Sequence, residues 1–149
     1  TRCAMCGGSL GGGRAVEEIR LGEHRIEVIL PARRCLACGA TFTDGGTALR
    51  VDLEVAARLP EWGIACGAAF RLARKALGLR GADAAALLDV DAATISRWET
   101  GKVPVDRAAL AALSAVAAER LGGSEATLDR LRGLQSASVR KRLRLDLTG

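Results

Sequence analysis

Aromatic side chains are scarce: two Trp, two Phe and no Tyr make up 3% of the 149 residues. A protein that grips single-stranded nucleic acid by stacking bases on rings needs more of them, which argues against that class. Histidine occurs once, as His24. The sequence also offers no acid pair and no phosphate-cradling glycine loop, so a binding role is expected rather than an enzymatic one. No apolar run reaches membrane-spanning length and no secretory signal is evident, which points to a soluble, cytoplasmic protein. What remains is 49% hydrophobic, enough for one core or two small ones. The formal charge of +5 is unevenly placed. Residues 1 to 62 carry 8 basic against 8 acidic side chains and residues 63 to 149 carry 14 against 9, so the whole excess lies in the second part. A basic excess of this kind suits a polyanion, although proteins that bind none often carry as much.

Four of the five cysteines fall in the first forty residues, as Cys3-Ala-Met-Cys6-Gly and Cys35-Leu-Ala-Cys38-Gly. Two residues between thiols let both sulfurs face one ion, and the following glycine lets backbone N–H groups turn toward them. Cys3, Cys6, Cys35 and Cys38 are therefore expected to form a closed tetrahedral site for one structural Zn2+, with no position left for water or substrate. Two disulfides are the other reading, disfavoured because nothing indicates export; a redox role for one pair is a third. Between the pairs, Ala15 to Leu21 and Arg25 to Leu30 alternate as strands, with Gly22-Glu23 as the turn. A hairpin flanked by two such knuckles is a zinc ribbon whose metal supplies much of its folding free energy. His24 is expected in the turn, solvated rather than a substitute ligand. Cys66, with no histidine near it in sequence, is expected to pack rather than react.

Asp44-Gly45-Gly46 is the natural boundary, and Leu49, Leu53, Ala56 and Ala57 suggest a helix from about Ala48 to Leu59, stopped by Pro60. Beyond it the period predicts helices over Gly67 to Leu77, Ala82 to Leu88 and Ala92 to Thr100. Gly78 is a stop, Asp91 an N-cap and Gly101 a C′ residue. Helix, sharp turn and capped helix is the helix-turn-helix pattern, whose second helix enters a DNA major groove. Asp106 is expected to cap a further helix to about Arg120, apolar nearly all round and so covered on more than one face. Ser124 should cap a short one to about Leu134.

The segments FRLARKALGL and LLDVDAATISRWETGK resemble the Xre and lambdoid-repressor class of helix-turn-helix domains. Gly81 stands where that class usually has a phosphate-contacting Gln. Asp89 replaces the turn glycine, where its tolerance of the left-handed conformation should preserve the turn. The class implies a structural salt bridge between Arg74 and Glu99. Ribbon, connector and SRWExGK in this order resemble the MqsA family of bacterial antitoxins, whose ribbon is called the YgiT-type zinc finger. That resemblance implies a homodimer that binds palindromic operator DNA through its C-terminal domain and represses its own operon. It also implies a toxin held by the N-terminal domain or connector. A stand-alone regulator with the same two domains is the alternative, and a thiol-based redox protein a more distant one.

The fold class expected is α+β: a zinc-ribbon domain over 1–46, a connector helix over 47–62, a helix-turn-helix and dimerisation domain over 63–134, and a basic tail over 135–149. Within the recognition helix Ala92, Ala93, Ser96 and Arg97 are the candidates nearest base edges. Arg97 is the one with paired donors matched to guanine O6 and N7. A phosphate contact is its other reading. The resemblance places a base-reading Asn where Ala93 stands, which shifts that position towards contact with a thymine methyl. Thr94, Thr100, Lys102, Arg71, Lys75 and Arg80 are candidates for phosphate contacts. Ile95 and Trp98, three apart, should pack inward. Arg140, Lys141, Arg142 and Arg144 crowd the tail, either as a solvated terminus or as an arm adding salt-dependent affinity.

Overall fold

A computed structural model describes residues 2–135 and 142–148. Two long strands dominate its first part, Leu10–Leu21 (β1) and His24–Cys35 (β2), paired antiparallel without a break from Leu10 opposite Cys35 to Leu21 opposite His24. The two-residue loop between them starts with Gly22 at φ 62°, a left-handed position that suits glycine in a tight hairpin. Both strands outrun the alternation in the sequence. Gly11, Gly12 and Gly13 pair with Arg34, Arg33 and Ala32, and Pro31 lies opposite Arg14. Glycine and proline hide a strand from pattern reading, yet the ladder tolerates them here. The third strand, Thr41–Phe42 (β3), pairs only with Arg33 and Arg34, so Pro31 sits where β2 has a neighbour on one side alone.

Helix α1, Gly45–Arg58, begins at the two glycines expected to mark a boundary; they form its first turn, with Asp44 at the N-cap position. Its inward residues are Val51, Leu53, Val55 and Ala56; Leu53 and Ala56 are buried as the sequence predicts and Ala57 packs half-buried on the core, whereas Leu49 is exposed and Val51 and Val55 widen the stripe. The reason is tertiary. α1 packs against the helices Gly67–Ala76 (α2) and Arg107–Leu121 (α5) and also lies beneath the hairpin. The inner hairpin face, Ala15, Ile19 and Leu21 with Ile26, Val28 and Leu30, joins the same apolar cluster. Asp52 of α1 carries a carboxyl raised above its usual value by burial and then by Glu17 of β1 across this seam.

The remaining helices are Gly81–Leu88 (α3), Ala92–Glu99 (α4) and Ala126–Gln135 (α6). α2 ends as the sequence predicts, at Gly78 with φ 70°, where the Leu79 N–H reaches the Arg74 carbonyl in a Schellman closure. Asp89 takes the left-handed conformation at φ 54° and ψ 48°, so the turn between α3 and α4 survives without glycine. α5 is capped by the Asp106 carboxylate, which accepts from the Ala109 N–H at 2.8 Å. Its buried face is Ala109, Leu110, Leu113, Ser114, Val116 and Ala117, while Ala108, Ala111, Ala115 and Ala118 stay exposed. Phe70, Leu59, Ile95, Leu113 and Val116 are almost completely buried, and Phe70 meets Trp98 edge to face with ring centroids 5.4 Å apart. No helix among the described residues is long and apolar enough to cross a membrane.

Candidate metal centre and nucleic-acid face

At the end of the hairpin remote from its turn, the two CxxC segments fold into matching loops. Gly7 N–H donates to the Cys3 carbonyl at 2.8 Å and Gly39 N–H to the Cys35 carbonyl at 3.0 Å, with both glycines at positive φ, 73° and 76°. Cys3 N–H and Cys35 N–H close the loops onto the carbonyls of Gly8 and Ala40. This geometry brings the Sγ atoms of Cys3, Cys6, Cys35 and Cys38 within 4.8 Å of one another. The shortest separations are 3.7 Å for Cys3 to Cys38 and 3.5 Å for Cys6 to Cys35. A tetrahedron of sulfurs at zinc–thiolate distance has edges of about 3.8 Å. None of the four is disulfide-bonded.

Backbone dipoles prepare the set for charge. Met5 N–H points at Cys3 Sγ from 3.4 Å and Cys38 N–H at Cys35 Sγ from 3.5 Å. The N–H groups of Cys38 and Ala37 lower the Cys35 thiol to about 6. Gly8 N–H favours the Cys6 thiolate too, but the crowding sulfurs of Cys35 and Cys38 push Cys6 up to about 12. Four thiolates this close repel one another, and a divalent cation is what relieves them. Gly8 is a constraint that pattern reading missed: a Cβ there would stand 2.9 Å from the Ala37 Cβ and 3.1 Å from Cys35 Sγ. The adjoining Gly7-Gly8 pair was the available signal. His24 is exposed at the start of β2, eleven ladder positions from Cys35, or roughly 35 Å along the strand, and is out of reach of the cluster. Cys66 Sγ lies against the hairpin turn, 3.6 Å from where a Cβ on Gly22 would stand, so it packs where hairpin meets helices.

The helical part presents a second site. α4 is clamped from behind by Ile95 and Trp98, 1% and 6% exposed, and by Arg74 of α2, whose Nε and Nη2 reach Glu99 Oε1 and Oε2 at 2.5 and 3.1 Å. Arg74 also donates to the Leu79 carbonyl at 2.8 Å. Both side chains of this bidentate pair are only 12% exposed, which fixes α4 against α2 and spends Arg74 on folding. Gly67 adds to the clamp: a Cβ there would stand 2.2 Å from the Trp98 carbonyl oxygen, so the start of α2 touches the backbone end of α4 directly.

With its back fixed, α4 turns Ala92, Ala93, Ser96 and Arg97 outward, all four exposed, with Thr94 half-buried beside them. Arg97, Lys102, Arg71 and Lys75 are exposed and, among the described residues, enter no side-chain ion pair. Three candidates differ from expectation in detail. Asp91 occupies the N-cap position, but its exposed carboxylate accepts no cap hydrogen bond; the Thr94 N–H is met by the Asp91 backbone carbonyl at 2.9 Å instead. Arg80, expected to lack a partner, pairs with Asp83 through Nε and Nη2 at 3.1 and 3.3 Å, and the Arg80 N–H donates to the same carboxylate at 2.9 Å. Gly81 opens α3 at this point, so the Arg80–Asp83 pair holds the helix start that a Gln would otherwise begin. Thr100 Oγ1 donates to the Ser96 carbonyl at 2.8 Å, and it must rotate away before donating to a phosphate. Of the tail cations, Arg140 and Lys141 lie outside the described residues; Arg142 and Arg144 are exposed.

Residues 65–131 match a family model described as a helix-turn-helix domain. The match runs from Ala65 through the α3–α4 motif and α5 into α6. No curated protein and no solved structure matches the chain. The matched region is thus a helix-turn-helix domain, the class of domain that DNA-binding regulators use. Its match stops short of the hairpin and the four-cysteine cluster.

Proposed function

We propose that the chain is a sequence-specific, DNA-binding transcriptional repressor whose ribbon is held by one structural Zn2+, and not an enzyme. The observation that carries this reading is the outward face of α4: a rigidly clamped helix with two small residues, a serine and an unpaired arginine facing solvent. Ala92 and Ala93 let the helix approach base edges closely, Ser96 suits either base or phosphate, and Arg97 has the donor pair for guanine. Lys102, Arg71 and Lys75 surround that face as phosphate contacts, with Thr94 beside them. Arg80 belongs to this set only if it leaves Asp83.

For the metal, four thiols at tetrahedral spacing with no fifth protein donor favour zinc over harder cations. The ion would neutralise the thiolates of Cys3, Cys6, Cys35 and Cys38 and tie the two knuckles together. It would hold structure only, because all four positions are taken by protein. A homodimer on a palindromic operator fits the exposed alanine face of α5 and the two-fold symmetry of such sites. Ribbon followed by helix-turn-helix also supports the finer reading of an autoregulating antitoxin that holds a toxin through the hairpin or α1. A regulator without a toxin uses the same features. A cytoplasmic location follows from either.

Fluorescence anisotropy of the zinc-loaded protein on its own upstream DNA and on scrambled DNA, across a salt series, tests the main reading. A specific regulator binds the former about a thousandfold or more tightly than the latter. Equal affinities that fall together with salt would make the helical part a general polyanion binder. Copurification of a small partner protein separates antitoxin from lone regulator.

A further inference from the structure

Leu143, Leu145 and Leu147 stand 84%, 82% and 82% exposed in a segment, 142–148, without secondary structure. Its sequence, Arg-Leu-Arg-Leu-Asp-Leu-Thr, has the period of two of a strand with one apolar face. An edge that suits such a strand lies open elsewhere. β3 covers β2 only at Arg33 and Arg34, so among the described residues β2 has β1 on one side and no strand on the other from His24 to Ala32. A groove of about 530 Å3 follows this edge, lined by consecutive residues Ile26 to Pro31 and, from the α1 side, by Val51, Val55 and Trp62 together with Arg50 and Arg58, which both pair with Glu54. Consecutive residues line a groove where a strand presents its edge rather than one face.

We propose that segment 142–148 of a second copy of this chain adds to the free edge of β2 as an antiparallel strand, with Arg144 opposite Glu27. In this register Leu143 faces Val28 and Leu145 faces Ile26 on the inner side. On the outer side Arg144 meets Glu27 and Asp146 meets Arg25. Moving the strand two residues one way sets Asp146 against Glu27, and two residues the other way sets Arg144 against Arg25. A parallel strand with its leucines inward sets Arg142 against Arg25 when Leu143 faces Ile26, and makes a single charge pair, Arg142 with Glu27, when Leu143 faces Val28. Shifts by one residue turn the leucines outward. With the leucines inward, the antiparallel register with Arg144 opposite Glu27 is therefore the one that makes two opposite-charge pairs and no like-charge pair. Among the described residues Glu27, Arg25 and Arg144 enter no side-chain ion pair. Asp146 accepts from the Thr148 N–H and hydroxyl at 3.0 and 2.5 Å, a local turn that the strand replaces. Pro31, with no N–H to offer, lies beyond the paired stretch.

The chain's own tail is badly placed to fill this edge. Gln135 lies beside Asp106 and Ala108, on the far side of α5. α5 packs on α1, and α1 on the hairpin, so two helices of roughly 10 Å diameter stand between. The link from 135 to 142 spans at most about 25 Å when fully extended. It would have to round both helices and then enter opposite Ile29. A second copy has no such restriction, and mutual exchange closes as a two-fold dimer in which each chain gives one strand and receives one.

The test uses full-length, metal-loaded protein, mixing 13C-labelled and unlabelled chains and recording isotope-filtered NOEs between the methyls of Ile26 or Val28 and those of Leu143 or Leu145. The expected result is NOEs between copies. Arg144→Glu should abolish them and raise the dimer dissociation constant about tenfold, since two cross-strand pairs turn repulsive; Glu27→Arg in the same chain should restore both. NOEs confined within one chain would assign the edge to the chain's own tail and overturn the proposal, as would their absence at concentrations where the protein is dimeric. A double exchange that fails to restore dimerisation would refute the register.

Discussion

In the helical part, Phe70, Ile95, Leu113 and Val116 are almost fully enclosed, and α4 is additionally pinned by Arg74–Glu99 and by the backbone contact at Gly67. At the metal end of the hairpin, among residues 2–14 and 31–44, the buried side chains are Cys3 and Cys35 alone, while Met5 and Leu36 of the knuckles are 76% exposed. One region is held by apolar burial and the other by sulfur. Surface-to-volume scaling explains the division: some thirty residues of hairpin cannot enclose a core, and the proposed ion on the four clustered sulfurs would take its place. Where the hairpin does bury apolar residues, at Leu21 and Leu30, it borrows the helical core.

The comparison breaks most dramatically on metal removal. Structural zinc in small domains contributes on the order of 10 kcal/mol. A strong chelator should therefore melt the knuckles and the adjoining end of the ladder while far-UV circular dichroism keeps its helical signal. Amide exchange should rise at Cys35 and Gly39 and stay slow in α2 and α5. Uniform loss of protection across both parts would mean that the ion supports the helices too.

Glu99→Ala comes next. It strands the Arg74 guanidinium in a site 12% exposed, and should cost about 3–5 kcal/mol in urea unfolding of the helical part. Replacing Arg74 and Glu99 together with apolar residues of like volume should cost much less; a double variant as unstable as the single one would show that the pair matters through packing, not charge. Gly67→Ala pushes a methyl into the Trp98 carbonyl and should cost about 1–3 kcal/mol by thermal melting, with the ribbon's metal affinity unchanged.

Acid gives the smallest of these stability effects. Thr127 holds the Glu119 carboxyl below its usual 4.5, first through its hydroxyl and then its N–H, and the Arg120 guanidinium lowers Glu125 likewise. Both are carboxylates with depressed folded values, so their stabilisation is complete above the unfolded value and is lost as pH falls through the lower folded ones. Below about pH 4.5 exchange at the Thr127 amide should quicken before that in α2. An α6 as protected at pH 3 as at pH 7 would contradict this.

Local chemistry was legible in the sequence and long-range packing was not. The two CxxC spacings predicted a cluster that the backbone closes within 4.8 Å, and the periodicities of TISRWETGK placed Ile95 and Trp98 inward. Gly78, Asp89 and Gly101 ended their helices where conformational preference says they should. The hairpin was read too short because Gly11 to Gly13 and Pro31 erase alternation without stopping the ladder. The buried stripe of α1 is wider than its periodicity shows: Leu53 and Ala56 are buried as expected, but Val51 and Val55 join them through tertiary packing that leaves no local trace, and Leu49 does not. The match to residues 65–131 agrees with the helix-turn-helix reading and does not extend to the ribbon or the connector.

In the proposed repressor the outward face of α4, rather than the net charge of the helical part, distinguishes one DNA from another. The most direct measurement is the ratio of affinities for upstream and scrambled DNA, by anisotropy at fixed salt, for wild type and Arg97→Ala. Loss of a bidentate guanine contact should cost about 1–3 kcal/mol on the specific site and far less on scrambled DNA, so the ratio should fall roughly tenfold or more. If Arg97→Ala weakens both DNAs alike and leaves the ratio intact, Arg97 touches phosphate and the face assigned to base reading is wrong.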